Sequence, residues 1–144
     1  MFKKLFILLA LTYSSVSLSA QTFMLMPIDS VYDGDTINTH VSEAKLPPPL
    51  NKLSVRLLGI DTPEKGGRAK CEKEAKLAED AKVFLLKLIG DSKTMKLENF
   101  SWDKYGGRID SRITINGLDI SQQMIDNGLA VPYNGGTKVK NWCE

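Results

Sequence analysis

Asp35, Asp61 and Glu64 are carboxylates set in turns or at strand ends, and Arg56 and Arg108 are guanidinium groups in the strand segments beside them. The segments that carry them read Val31-Tyr-Asp-Gly-Asp-Thr-Ile37, Val55-Arg-Leu-Leu-Gly-Ile-Asp-Thr-Pro-Glu64 and Asp103-Lys-Tyr-Gly-Gly-Arg-Ile109. Acids at strand ends are common turn formers, and each alone is most simply that. In combination with the arginines they point to a metal-dependent phosphodiesterase, because carboxylates bind a divalent cation and planar guanidinium forks fit phosphate oxygens.

The elements that must position these groups are short. Phe23 to Ile28 and Thr36 to Val41 are β-type runs around the turn Asp33-Gly34-Asp35, where glycine supplies a permissive backbone. The stretch from Ser42 to Lys52, with Pro47-Pro48-Pro49, reads as an extended loop. Leu53 to Ile60 is an aliphatic strand stopped at Asp61-Thr62-Pro63. One long helix is predicted from Ala69 to Ile89, with Cys71, Ala75, Ala78, Ala81, Leu85 and Leu88 at three- and four-residue spacing and Gly90 as its stop. Its lysines and glutamates read as a solvated outer face. Thr94 to Phe100 and Arg108 to Ile115 follow as strands, Asn116-Gly117 as a turn, and Leu118 to Asn127 as a short amphipathic helix. The tail from Leu129 to Glu144 reads as irregular. Five short strands with a long helix inserted after the third describe an α+β OB-fold, a five-stranded Greek-key barrel capped by helices.

The chain of 144 residues suits one domain. Lys3 and Lys4, the apolar run Leu5 to Leu11 and the small-residue end Ser17-Leu-Ser-Ala20 read as a secretory signal peptide over residues 1–20, against the alternative of an uncleaved anchor. Those two lysines account for the whole excess of 19 basic over 17 acidic residues, so residues 21–144 carry no net field to attract a polyanion. Export, to a periplasm or out of the cell, leaves Cys71 and Cys143 either paired as a disulfide or as two free thiols; pairing would close a long loop and stabilise the fold by about 4 kcal/mol.

Four motifs stand in a shared order: Asp33-Gly-Asp-Thr36, Arg56-Leu-Leu-Gly-Ile-Asp-Thr-Pro-Glu64, Asp103-Lys-Tyr-Gly106 and Asn127-Gly-Leu-Ala130. In these, from about Ser30 to Tyr133, the chain resembles the staphylococcal nuclease-like (thermonuclease) domain. The resemblance implies an OB barrel that cleaves DNA and RNA with Ca²⁺, leaving 3′-phosphate ends. It makes Asp35 and Asp61 the calcium carboxylates and Thr62 a backbone-carbonyl ligand, a hard-oxygen set suited to Ca²⁺. It makes Glu64 the general base, and with His40 the only histidine and outside every motif, a carboxylate is the only obvious candidate. Arg56 and Arg108 become the phosphate-binding arginines; Lys104, Tyr105 and, without exact register, Tyr133 become nucleotide contacts. Gly107 is an extra residue against the family pattern. Counting back from Gly117 keeps Arg108 in place if that residue forms a bulge before the strand, with Arg112 as the alternative. No obligate protein partner is implied, and a monomer is expected. The competing readings are a non-catalytic OB module that binds nucleic acid or protein, and a structural envelope domain.

Overall fold

A computed structural model describes residues 22–41, 47, 50–104 and 106–144. The signal-peptide reading, most of the proline-rich loop and Tyr105 lie outside the described residues. The chain forms β1 (Phe23–Pro27), β2 (Ser30–Val31), β3 (Thr36–His40), β4 (Lys52–Leu57), β5 (Ile60–Asp61), a 3-10 turn (Gly66–Arg68), α1 (Glu72–Ile89), β6 (Thr94–Trp102), β7 (Arg108–Ile115), β8 (Leu118–Asp119), α2 (Ile120–Asp126) and β9 (Val131–Pro132).

The main sheet runs β1-β6-β7-β4-β3-β2, with β8 attached to β7. All pairings are antiparallel except β4 with β7, which is parallel. The path is not closed by a ladder between its two ends, which differs from the closed barrel expected. Those ends are nonetheless consecutive pieces of chain. The N–H of Ile28 donates to the Lys93 carbonyl and the N–H of Asp29 to the Asn38 carbonyl, each at 2.9 Å, so one kinked segment serves β6 at its start and β3 at its end. This mixed sheet with two helices is the OB-type α+β arrangement.

The concave side is filled by Ile37, Val55, Leu57, Met95, Leu97, Ile113 and Ile115 from the strands, and by Ala81, Leu85, Ile89, Ile120 and Met124 from the helices. α1 is helical because its apolar residues recur on one stripe; Ala78, Ala81, Leu85 and Ile89 are buried while its lysines face outward. It starts later than predicted. Cys71 is its N-cap, the sulfur accepting from the Glu74 N–H at 3.3 Å, and Gly90 at φ 53° ends it.

The predicted strand Leu53 to Ile60 breaks at Leu58-Gly59, where Gly59 takes φ 85°. Alternation therefore fails there: Leu58 turns outward, while Ile60 and Asp61 are both buried. β5 then leaves the main sheet to pair with β9, in a tail whose sequence carries no strand signal.

Candidate active site

Asp35 sits at the end of the tight turn between β2 and β3. Its carbonyl accepts the Leu57 N–H at 2.8 Å, tying the turn to the end of β4. Gly34 is needed here for close approach rather than for backbone sign: a Cβ at that position would lie 2.8 Å from Ala81 Cβ on α1. Both Asp35 oxygens are engaged, Oδ1 by the Thr36 hydroxyl at 2.9 Å and Oδ2 by Arg56 Nε at 3.3 Å. Burial, then the neighbouring Asp33 charge, push the Asp35 carboxyl above its ordinary value against the pull of Arg56.

Arg56 faces the cleft from β4, opposite Asp110 of β7 in the parallel register, with its Cζ 5.9 Å from the Tyr133 ring centre. Tyr133 is brought there by the β5-β9 pairing and by its N–H, which donates to the Gly59 carbonyl at 2.8 Å. Arg108 opens β7. Its Nη2 pairs with Asp103 Oδ2 at 2.7 Å. Burial works against the Arg108 charge, but the hydrogen bond and charge of Asp103, then Asp110 and Asp35, hold the guanidinium more firmly protonated than usual.

The extra glycine is absorbed by the loop and not by a bulge before β7. Gly106 and Gly107 take φ 76° and 73°, and the turn is closed by the Asp103 N–H donating to the Arg108 carbonyl at 2.9 Å. The irregularity in the β6-β7 ladder falls instead between Glu98 and Ser101, beside Asn99 at φ 51°.

Asp61 is buried in β5. Its Oδ1 is buried and meets the Lys138 ammonium at 2.5 Å, with no other donor on that oxygen among the described residues. The same ammonium lies 2.8 Å from Glu64 Oε1, and Arg68 Nε lies 3.0 Å from Glu64 Oε2. Glu64 is carried on a loop held by Glu74, which is 3% exposed and accepts the N–H groups of Glu64 at 3.2 Å and Lys70 at 2.7 Å. Burial works against the Lys138 charge, but hydrogen bonds and charges of Asp61 and Glu64 outweigh it and raise its pKa.

One open cleft of about 600 Å³ is lined by Asp35, Arg56, Thr62, Glu64, Lys104, Arg108 and Tyr133. Asp61 is not on its surface but lies behind it, reached through Lys138, which does line it. Arg112 stands apart, exposed and paired with Asp119 at 2.7 Å. Cys71 and Cys143 are also apart from the cleft and are joined, with Cα atoms 6.1 Å apart, pinning the tail to the start of α1. Among the described residues, no three His, Cys, Asp or Glu side chains converge as a metal cluster.

Sequence reasoning missed Lys138, Arg68 and Glu74. Glu74 carried a weak signal as an acid in the first turn of a helix, where N–H groups seek acceptors. Lys138 carried almost none; only Gly135-Gly136, at φ 94° and 87°, marks the turn that folds the tail back.

Residues 54–141, more than half of the chain, match the family described as staphylococcal nuclease homologue. Asp35 precedes the matched stretch. The chain is also 29% identical over 111 residues to Endonuclease YhcR of Bacillus subtilis (strain 168); the match covers 74% of this chain but 9% of that much longer protein. By this match and by the fold that carries it, the chain belongs to the staphylococcal nuclease homologue family.

Proposed function

We propose that the protein is a nuclease that hydrolyses phosphodiester bonds of DNA and RNA with little sequence preference, depends on calcium and leaves 3′-phosphate ends. The observation that carries this reading is the convergence of two guanidinium groups, Arg56 and Arg108, with the carboxylates Asp35 and Glu64 on one cleft. The similarity to a protein named an endonuclease supports it.

Calcium would be held by Asp35, Asp61 and the Thr62 carbonyl. The fit rests on the donor set: all three donors are hard oxygens, and Asp61 is a buried carboxylate whose Oδ1 is met, among the described residues, by the Lys138 ammonium alone. When bound, the ion would polarise a phosphate oxygen and ease deprotonation of water. Arg56 and Arg108 would bind the equatorial phosphate oxygens, whose negative charge grows as water attacks phosphorus and the bond to the 5′ oxygen breaks. Glu64 would accept the water proton. Lys104, Tyr105 and Tyr133 would hold the flanking nucleotide, and stacking on an aromatic ring tolerates any base. Residues 21–144 would work as one exported, monomeric domain after removal of residues 1–20. The Cys71–Cys143 bond supports an oxidising compartment.

The test is digestion of plasmid and heat-denatured DNA with and without a calcium chelator. Chelator-sensitive cleavage is expected, and binding without cleavage would favour a silent OB module. Glu64→Gln should keep nucleotide binding and lower turnover by about 100- to 10,000-fold. Full activity in that variant would rule Glu64 out as base.

A further inference from the structure

Lys138 does not behave as a bystander in this cleft. Its ammonium stands between Asp61 Oδ1 at 2.5 Å and Glu64 Oε1 at 2.8 Å, and its side chain is only 39% exposed. The two acids it bridges come from β5 and the loop after it, while Lys138 comes from the far end of the chain. Chance contact between a solvated lysine and a solvated acid is common at surfaces and worth little. This contact differs on three counts. Asp61 is 3% exposed, so its charge is largely cut off from water. Its Oδ1 is met by the Lys138 ammonium, and no other donor reaches that oxygen among the described residues. The tail is also held in place. The Tyr133 hydroxyl donates to the Gly136 carbonyl at 2.7 Å on one side of Lys138, and the Cys71–Cys143 bond fixes the chain five residues beyond it.

Glu64 shows the consequence. With Lys138 on Oε1 and Arg68 on Oε2, both of its oxygens are taken by cations. Each oxygen keeps a second lone pair, but a cation held against it leaves less room for a water at that edge. Of the two, Arg68 reaches Glu64 from four residues away and Asp33 at 3.9 Å, whereas Lys138 bridges Glu64 to the buried Asp61.

We propose that Lys138 is a tethered counter-cation of Asp61 and Glu64 that competes with a divalent metal ion for these two acids. This inference rests on the reading of Asp61 as a metal ligand. Withdrawal of the ammonium would join two events: the Asp61 charge would be left for the ion, and Glu64 Oε1 would lose its cation on the side that faces the cleft. Lys138 is thus a positioning residue. It keeps a buried acid compensated in the resting protein and sets how much metal is needed to open the site.

Calcium titration calorimetry on the metal-stripped, disulfide-intact protein, without nucleic acid, tests this directly. Lys138→Met keeps the apolar stem and removes the charge. It should tighten calcium binding by about tenfold, the ordinary size of coupling between two ligands of linked sites. Lys138→Gln gives a second neutral side chain should methionine disturb the fold, and should tighten binding likewise. Lys138→Arg keeps the competitor and should stay close to the parent. Equal or weaker affinity in both neutral variants overturns the inference while leaving the metal reading intact. Absence of calcium uptake by the parent and by all variants overturns both.

Discussion

Arg108 Nη2 lies 2.7 Å from Asp103 Oδ2, so the guanidinium that opens β7 is locked to the residue just after β6. The pair bridges the turn that contains the extra glycine, and it fixes the arginine toward the cleft whatever the length of that turn.

Arg108 and Arg112 therefore separate cleanly. Arg108→Ala should cut kcat by about 100- to 1000-fold, the usual effect of removing a donor aimed at developing negative charge. Arg112→Ala, which loses only an exposed pair with Asp119, should stay within about twofold in turnover and lose less than about 1 kcal/mol of stability. Steady-state kinetics on single-stranded DNA compares the two. A larger loss at Arg112 would mean that the register argument from Gly117 had chosen the wrong arginine.

The motif residues were legible because their chemistry lies in type and short spacing. Arg56 and Glu64 are eight residues apart in one segment, and both reach the cleft. The strand boundaries and core face of β7 were legible for the same reason, since Ile109, Ile113 and Ile115 alternate with polar neighbours. What could not be read was long-range. β9 is two residues of tail whose strand character comes only from pairing with β5, and Lys138 meets Glu64 across 74 positions. Gly34 was legible only as a turn glycine with a permissive backbone. A pattern of Asp-Gly-Asp suggests backbone sign, whereas the constraint is the nearness of a helix that the local sequence does not mention.

That constraint predicts a coupled pair. Gly34→Ala should destabilise by about 1–3 kcal/mol, because its Cβ would overlap Ala81 Cβ and neither backbone can retreat freely. Ala81→Gly alone should cost about 1 kcal/mol or more for glycine in a helix interior and the lost methyl. The double variant should be less destabilised than the two losses added, as a urea-unfolding double-mutant cycle would show. Simple additivity would place the two groups out of contact.

Glu74 makes a different prediction, because it acts on the loop rather than on the core. Glu74→Ala would leave the N–H groups of Glu64 and Lys70 without their buried acceptor, costing about 1–3 kcal/mol in urea unfolding. Glu74→Gln keeps one acceptor oxygen and should lose about half of that. Both should lower kcat more than they raise KM, since the loop they loosen carries Glu64. Turnover unchanged in a folded Glu74→Ala protein would detach that loop from catalysis.

Asp110 gives stability an unusual pH dependence. Its carboxyl is pushed above the ordinary 3.8, first by burial and next by the Asp103 charge, with Arg56 and Arg108 pulling the other way and Asp35 adding to the rise. Its Oδ1 is buried and accepts no hydrogen bond among the described residues. A carboxyl with a higher pKa folded than unfolded holds its proton more tightly in the native state. Its contribution is neutral to stability at high acidity only by comparison with a neutral amide; as pH rises past 3.8 and through the raised folded value, ionisation costs the folded state more than the unfolded one. Asp110→Asn removes that cost without changing shape. The variant should therefore melt at a higher temperature than the parent at pH 7, and the gain should fade as the pH drops through the raised folded value toward 3.8, in chelator throughout. A lower Tm at pH 7 would mean that Arg56 and Arg108 draw more from the Asp110 charge than its burial takes away.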